Sequence, residues 1–208
     1  MFIQVIQGKT SDADALKAQF DKWAEELSMD AVGFLGSTAG VSADGDVVVL
    51  ARFESEEAAR ANSDRPEQGS WWEETAKHFE GEVTFRDTTD VKTYRDGGSD
   101  DAQFVQVIQG RVQDRDRFEA LQSGLVERME EERPEILGIV QAWDGDLLTQ
   151  IIYFASEHTA REGEGKAMEP EVMGRLEEMR SLIEDLTYID LPDPWLLTPP
   201  SDEDEEGS

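Results

Sequence analysis

The sequence predicts an α+β protein made of two copies of one β-α-β-β-α-β unit. The first observation is an internal repeat: Phe2–Asp14 returns as Phe104–Asp116 with 8 of 13 positions identical. The second is that further matching segments follow in the same order. Asp44-Gly45-Asp46 returns as Asp144-Gly145-Asp146, and the offset between matching positions stays between 100 and 103 residues. A period of about a hundred residues is far longer than that of a solenoid, so each copy is predicted to be a small domain.

Turn residues, caps and hydrophobic periodicity predict the elements of the first copy. A run rich in β-branched residues that ends at Gly8 predicts a strand, and apolar residues at every third or fourth position after Ser11 predict an amphipathic helix. Asp44-Gly45 predicts a hairpin turn, and Ser55 is a favourable N-cap. The predicted strands are 2–7, 31–39, 47–53 and 82–91, and the predicted helices are 13–27, 55–62 and 70–79, with a break at Pro66.

The second copy follows the same plan with a weaker second helical region. Gly163 and Gly165 predict that its helix is shorter or broken, because each Gly costs a helix about 0.5–1 kcal/mol relative to Ala. Pro134 is expected to end the first helix of this copy. The apolar face of that helix consists of Phe118, Leu121, Leu125 and Met129, and the further predicted elements are strands 147–154 and 186–191 and a helix over 168–182.

Composition bounds the location and the partners of the protein. The 19 Lys and Arg against 48 Asp and Glu give a net charge of −29, which repels nucleic acid and anionic membranes. Cys is absent, and no apolar run is long enough to span a bilayer, so a cytoplasmic protein without a signal peptide is expected. The expected domains are a first repeat over 1–97, a linker over 98–102, a second repeat over 103–196 and a disordered acidic tail over 197–208.

The predicted unit of about a hundred residues has the element order of a ferredoxin-like fold. The phrase Phe53-Glu-Ser-Glu-Glu-Ala-Ala-Arg60, directly after the hairpin, resembles the dimeric α+β barrel superfamily and, within it, the antibiotic-biosynthesis-monooxygenase-like domains. Both repeats lie on one chain, so the resemblance implies that the two halves close one barrel as a monomeric pseudo-dimer, with a further homodimer left open. Closure would also remove exposed sheet edges. The superfamily includes cofactor-free oxygenases of aromatic molecules, haem-degrading enzymes and members without known activity.

The candidate catalytic group is His78, since His is the side chain whose proton moves near neutral pH. Trp71 and Trp72 precede it and would pack a small apolar or aromatic substrate, with Glu74 placed to orient the His ring. The alternative is that Trp72 belongs to the core while His78 is a surface residue paired with Glu74. The second copy carries Val172, Met173 and Gly174 in this region, which predicts a ligand site in the first half only.

Two further polar residues are candidates for substrate binding. Gln4 and its counterpart Gln106 interrupt apolar strands, and a buried unpaired amide costs about 1–3 kcal/mol. These amides either orient a substrate or bond across the pseudo-two-fold axis. Arg52, which matches Tyr153, is either a polar contact for the substrate or a solvent-facing strand end.

No metal and no cofactor are expected. The repeated Asp-Gly-Asp turns lack the remaining ligands of a calcium loop, and His158 with Glu157 is too small a set for a metal. Haem-degrading relatives use a helix His and a strand Asn, and the first strand has Gln4 but no Asn. Two functions therefore stay open: a cofactor-independent monooxygenase-like enzyme, and a non-catalytic ligand-binding or scaffold protein, with haem chemistry a distant third.

Overall fold

The computed structural model of the chain describes residues 1–95 and 97–199, apart from the side chains of residues 127 and 129–132. The side chain of Met129 and most of the predicted acidic tail lie outside these described residues. In chain order the elements are β1 (Phe2–Lys9), α1 (Ala13–Glu26), β2 (Phe34–Val41), β3 (Asp46–Phe53), α2 (Glu56–Ser63), α3 (Pro66–Thr75), β4 (Glu80–Thr88), β5 (Val91–Tyr94), β6 (Phe104–Val112), α4 (Arg115–Glu132), β7 (Ile136–Asp144), β8 (Leu147–Phe154), α5 (Glu157–Glu164), α6 (Pro170–Ser181), β9 (Ile183–Leu191) and β10 (Trp195–Leu197).

The chain forms two compact units, each built on one five-stranded antiparallel sheet. The first unit comprises Met1–Thr89 and the segment from Trp195 onward, and its strand order is β10-β2-β3-β1-β4. The second comprises Asp90–Pro194, with the order β5-β7-β8-β6-β9. The predicted α+β class with two ferredoxin-like repeats is confirmed. Closure of the two sheets into one barrel stays a prediction.

The edge strands β5 and β10 are exchanged between the repeats. Strand β5 follows the first repeat in the chain but pairs with β7, and β10 follows the second repeat but pairs with β2. The single strand predicted over 82–91 is therefore wrong, because the chain leaves the first sheet after Thr88 and Val91 enters the second. Regular structure also extends to Leu197, inside the predicted tail, because β2 offers an unpaired edge to these three residues.

Caps and prolines place the helix starts of the first unit. The Oγ of Ser55 accepts a hydrogen bond from the Ala58 amide at 3.1 Å, as predicted for an N-cap. The cap of α1 is Asp12, since its carboxylate accepts a hydrogen bond from the Ala15 amide at 3.0 Å. Pro66 begins α3 and does not merely break the preceding helix, because the fixed φ of Pro suits the first helical turn.

The core of the first unit lies between its sheet and its helices. Side chains alternate along the strands, so Phe2 and Ile6 of β1 face the helices while Ile3 and Val5 face the other way. All four are buried, as are Val48 and Leu50 on the opposite face of β3. Apolar side chains are therefore buried on both faces of the central strands.

No helix of the described part of the chain is long and apolar enough to cross a membrane.

The prediction that Gly163 shortens or breaks its helix is wrong, whereas Gly165 does lie at the C-cap where the helix ends. Helix α5 has 8 residues, the same number as its counterpart α2. The reason for Gly is steric: a Cβ on Gly163 would lie 1.8 Å from Oε1 of Glu135, whose buried carboxylate is paired with Arg133. Gly163 therefore makes room for this ion pair.

Gly163→Ala is expected to destabilise the protein. Overpacking costs about 1–3 kcal/mol, and the better helix propensity of Ala returns at most about 1 kcal/mol. Gly165→Ala is the matched control, because its Cβ would meet its nearest neighbours at 3.6 Å, an ordinary contact. Urea unfolding should show a lower midpoint for Gly163→Ala and an unchanged or higher one for Gly165→Ala. Equal midpoints for the two variants would contradict the steric explanation.

Candidate functional site

Aromatic rings pack the space between the first sheet and helices α1 and α3. The ring of Phe20 lies 5.7 Å from that of Trp71 and 5.4 Å from that of Trp195, and Trp71 lies 6.0 Å from Trp72. The Trp71 indole N–H donates to the Gln19 backbone carbonyl at 2.7 Å. Trp71 therefore acts as part of the core of this unit, and its polar atom is already used inside the protein.

The open edge of this aromatic packing is formed by Trp72 and Phe85, which we call the aromatic rim. The ring of Trp72 is half-buried and meets Phe85 edge-on at a centroid distance of 5.2 Å. Phe85 lies on the edge strand β4 and is 48% exposed. A large aromatic side chain so exposed on an edge strand leaves an apolar surface open to a ligand.

Gln4 lies on the same helix-covered face as the aromatic rim. Its amide N–H donates to Oδ1 of Asp87 at 2.9 Å, and Asp87 is the register partner of Gln4 on β4. Ile6 and Phe85 form the next pair on this face. The structure thus brings Gln4 and Trp72 to one side of the sheet, and the amide of Gln4 bonds within its own sheet.

His78 lies at the other end of β1. It ends a short 3-10 turn, the residue is half-buried, and its carbonyl accepts a hydrogen bond from Oγ1 of Thr10 at 2.8 Å. Glu80, two residues later, pairs with Lys9, which lies five residues beyond Gln4. Five residues span about 17 Å along a strand. The backbones of His78 and Gln4 are thus far apart for groups that should hold one small substrate.

The predicted partner of His78 is engaged elsewhere. The Glu74 carboxylate accepts a hydrogen bond from Nζ of Lys77 at 2.6 Å. This bond, helped by the Lys77 charge, holds the pKa of Glu74 below its usual value. Glu74 therefore forms a surface ion pair with Lys77 and does not orient the His78 ring.

Arg52 lies on the opposite face of the sheet from Gln4. It pairs with Ile3, and its guanidinium lies beside Gly36. Its Nε is buried and has no hydrogen-bond partner within the described part of the chain. The predicted site residues are therefore divided: Trp71, Trp72 and Gln4 share the helix-covered face, and Arg52 does not join them.

The second unit repeats the Gln–Asp pair and the exposed edge aromatic. Gln106 donates to Oδ1 of Asp190 at 3.0 Å, as Gln4 does to Asp87. Tyr188 takes the register position of Phe85, is also 48% exposed, and its hydroxyl accepts a hydrogen bond from Arg180 at 3.2 Å. Helix α6, which follows the same plan as α3, carries no aromatic residue to meet Tyr188 as Trp72 meets Phe85.

The sequence reasoning missed a group of buried polar residues in the second unit. Gln141 is fully buried on β7, and Gln150 lies opposite it on β8. The signal was present in the repeat, because the first copy has Ala39 and Val49 at the matching register positions. Polar residues at apolar positions of a repeat could have been found by aligning the two copies strand by strand.

The predicted site residues coincide neither with a surface groove nor with a group of metal ligands. A shallow open groove runs along α2 between Ser55 and Asp64, beside charged residues such as Glu56 and Arg60, and contains none of the predicted site residues. Among the residues that the structure describes, no group of three His, Asp or Glu side chains is placed to hold a metal ion.

Comparison with known proteins identifies the fold. The sequence matches no family model and no curated protein. The structure is similar to a Fusobacterium nucleatum protein provisionally named a monooxygenase, with 10% identity and a TM-score of 0.77 over 95% of this chain and 94% of that chain. A Lactobacillus acidophilus protein with the same provisional name matches with 15% identity and a TM-score of 0.67, over 94% and 98%.

A third similar structure is an anthrone oxidase-like protein, with 9% identity and a TM-score of 0.64 over 94% of this chain and 92% of that chain. All three matches run through both repeats, and identities of 9–15% establish the fold alone. The chain therefore has the fold of these three proteins, carried as a tandem duplication of one ferredoxin-like unit.

Proposed function

We propose that this protein binds a small planar apolar or aromatic molecule against the aromatic rim of the first unit. The observation that carries the proposal is the pair Trp72 and Phe85, whose rings meet edge-on at 5.2 Å while Phe85 is half exposed. A planar ligand laid on these rings would bury apolar area and gain ring–ring contacts worth about 0.5–1.5 kcal/mol beyond that area.

The Gln4–Asp87 pair supplies a polar group beside the rim. Gln4 donates its amide N–H to one carboxylate oxygen of Asp87. The carbonyl oxygen of Gln4 and the other carboxylate oxygen of Asp87 are hydrogen-bond acceptors, so a ligand with a hydrogen-bond donor would complement them. Asp87 lies two residues along β4 from Phe85, on the same face. A ligand with an aromatic ring and a phenolic or enolic hydroxyl would satisfy both parts of this surface.

Phe85→Ala is expected to weaken binding of a planar aromatic molecule about five- to tenfold, in line with the loss of one aromatic contact. Binding of 1-hydroxyanthraquinone is measured by quenching of tryptophan fluorescence. Tyr188→Ala is the matched control, because Tyr188 has the same register position and the same exposure on β9. Equal effects of the two variants, or unchanged binding by Phe85→Ala, would contradict a site at the rim.

A second candidate function is cofactor-independent oxidation of the bound molecule. It is favoured by the names of the three similar structures, two provisionally monooxygenases and one anthrone oxidase-like. In such chemistry the substrate loses a proton and passes electrons to O2; anthrone and O2, for example, give anthraquinone and water. His78 is the group that would take the proton.

The position of His78 favours binding over catalysis at the rim. Its backbone lies at the end of β1 remote from Gln4, and Glu74 does not support its ring. An oxygen electrode with anthrone separates the two functions. Oxygen uptake above the buffer rate that is lost in His78→Gln supports the enzyme, and uptake at the buffer rate leaves a binding protein.

A further inference from the structure

Strand β4 lies at one end of the strand order of the first sheet, so within the described part of the chain one of its edges has no neighbouring strand. Five of its nine residues are exposed, and they include Phe85 at 48%. An edge strand presents backbone N–H and C=O groups with which another strand can pair, and proteins usually cover such an edge or make pairing unfavourable. The side chains of β4 therefore decide what this edge accepts.

The sequence of β4, Glu-Gly-Glu-Val-Thr-Phe-Arg-Asp-Thr, complements its own reverse about Thr84. When two copies pair antiparallel across a two-fold axis at Thr84, Val83 of each copy lies opposite Phe85 of the other. Glu82 of each copy then lies opposite Arg86 of the other. In such a contact every pair occurs twice. Apolar pairs and pairs of opposite charge directly across two antiparallel strands stabilise a sheet.

The apolar pairs and the charged pairs lie on opposite faces of the strand. Val83 packs against the core cluster beneath the helices and Phe85 meets Trp72, so both lie on the helix-covered face. Glu82, which is exposed, and Arg86, which is half-buried, alternate with them and lie on the other face. Each side chain therefore meets its complement on its own face of the sheet.

The neighbouring two-fold registers of β4 lack this match. An axis at Phe85 sets Val83 opposite Asp87, an apolar side chain against a carboxylate. An axis at Arg86 sets two guanidinium groups opposite each other, and like charges in this position destabilise a sheet. An axis at Val83 sets Phe85 opposite Gly81, which has no side chain to pack on the ring. The residues of β4 thus favour the single register described above.

The matching edge strand of the second unit, β9, does not complement itself. Thr187 pairs with Gln109 as Thr84 pairs with Gln7, so the equivalent two-fold axis passes through Thr187. That axis sets Glu184 opposite Asp190, which are like charges. The same edge of the same unit therefore does not carry the pattern, and the fold itself does not require it.

We propose that β4 is a homodimer contact, at which two copies of this chain join their first sheets through an antiparallel β4–β4 pair centred at Thr84. The dimer is closed, because both copies use the same strand. A bulge interrupts the β1–β4 ladder between Thr84 and Glu80, so the regular segment is short and the dimer belongs to the weak, transient class. The proposal does not rest on ligand binding at the aromatic rim.

The test reverses single charges of β4. Sedimentation equilibrium of the wild type is expected to show a monomer–dimer equilibrium at micromolar concentrations, in about 0.15 M salt, which screens the net charge of −29 over about 8 Å. Glu82→Arg and Arg86→Glu each create two like-charge pairs and should each weaken the dimer at least about tenfold. An equimolar mixture of the two variants should dimerise again, because every pair between positions 82 and 86 then joins opposite charges.

Glu80→Arg is the matched control, because it changes the net charge by the same amount on the same strand but lies opposite Thr88 in the proposed register. It should dimerise like the wild type. The exchanged chain Glu82→Arg/Arg86→Glu should also dimerise by itself, which separates a lost contact from a misfolded variant.

A wild type that stays monomeric at every concentration, or a mixture of the two charge variants that does not dimerise, would overturn the proposal. Equal weakening by Glu80→Arg and Glu82→Arg would overturn the register. Either failure leaves the function proposed for the rim standing, because the substituted charges lie on the face of β4 opposite Phe85.

Discussion

Ending the chain at Pro194 is expected to lower the free energy of unfolding of the first unit by about 3–5 kcal/mol, the usual cost of removing one large aromatic residue from a core. The truncation removes β10, in which Trp195 and Leu197 pair with Ala39 and Ser37 of β2. It also removes the ring of Trp195, which lies 5.4 Å from that of Phe20. The edge of β2 and part of the aromatic core would both be uncovered.

The matched control for this truncation is a chain that ends at Pro199, which retains β10. Urea unfolding and amide hydrogen exchange compare the two chains. The β2 amides should exchange faster only in the shorter chain, while those of β7, in the second unit, serve as an internal reference. Equal exchange of β2 in the two chains would show that β10 contributes little to the first sheet.

Trp23→Ala is expected to cost about 3–5 kcal/mol, as for other buried Trp residues. Trp23 is 8% exposed, its ring lies 4.9 Å from that of Phe34, and its indole N–H donates to Oε1 of Gln68 at 2.6 Å. The substitution removes ring contacts and leaves the Gln68 amide without this donor. Thermal and urea unfolding measure the loss.

Trp23→Phe is the control, because it keeps a ring against Phe34 and loses only the hydrogen bond. It should cost about 1–2 kcal/mol, the scale of one buried hydrogen bond and a small volume change. Added indole should restore part of the stability of Trp23→Ala, since an apolar cavity can bind a ring that matches it. Equal losses for the two variants would mean that the ring contacts contribute little.

Local sequence signals predicted most of the helices and strands. Ser55 predicted a helix start because its side chain satisfies a backbone N–H a few residues away, an interaction that needs no tertiary contact. Asp44-Gly45 predicted the hairpin because its turn needs positive φ, which Gly adopts without strain, and Gly45 has a φ of 80°. Gly163 misled the prediction, because glycine is needed there to make room for the carboxylate of Glu135, which is distant in the sequence, and not to end its own helix.

The candidate site was only partly predictable. The sequence placed Trp72 and Gln4 in one site, and the structure brings both to the helix-covered face of the first sheet. It could not show that Arg52 faces the other way, because strand alternation becomes informative only when the face covered by helices is known. Phe85 was overlooked, since its value for binding depends on its exposure beside Trp72.

The sequence by itself determined the duplicated α+β architecture, because repeats, periodicity and turn residues act over short distances along the chain. The tertiary structure alone decided which sheet receives β5 and β10, since a short strand pairs with whichever sheet edge lies near it. It also decided which polar groups are buried without a partner. Gln141 is an ordinary strand residue in the sequence, and only packing in the folded unit leaves its oxygen buried without a hydrogen-bond partner in the described part of the chain.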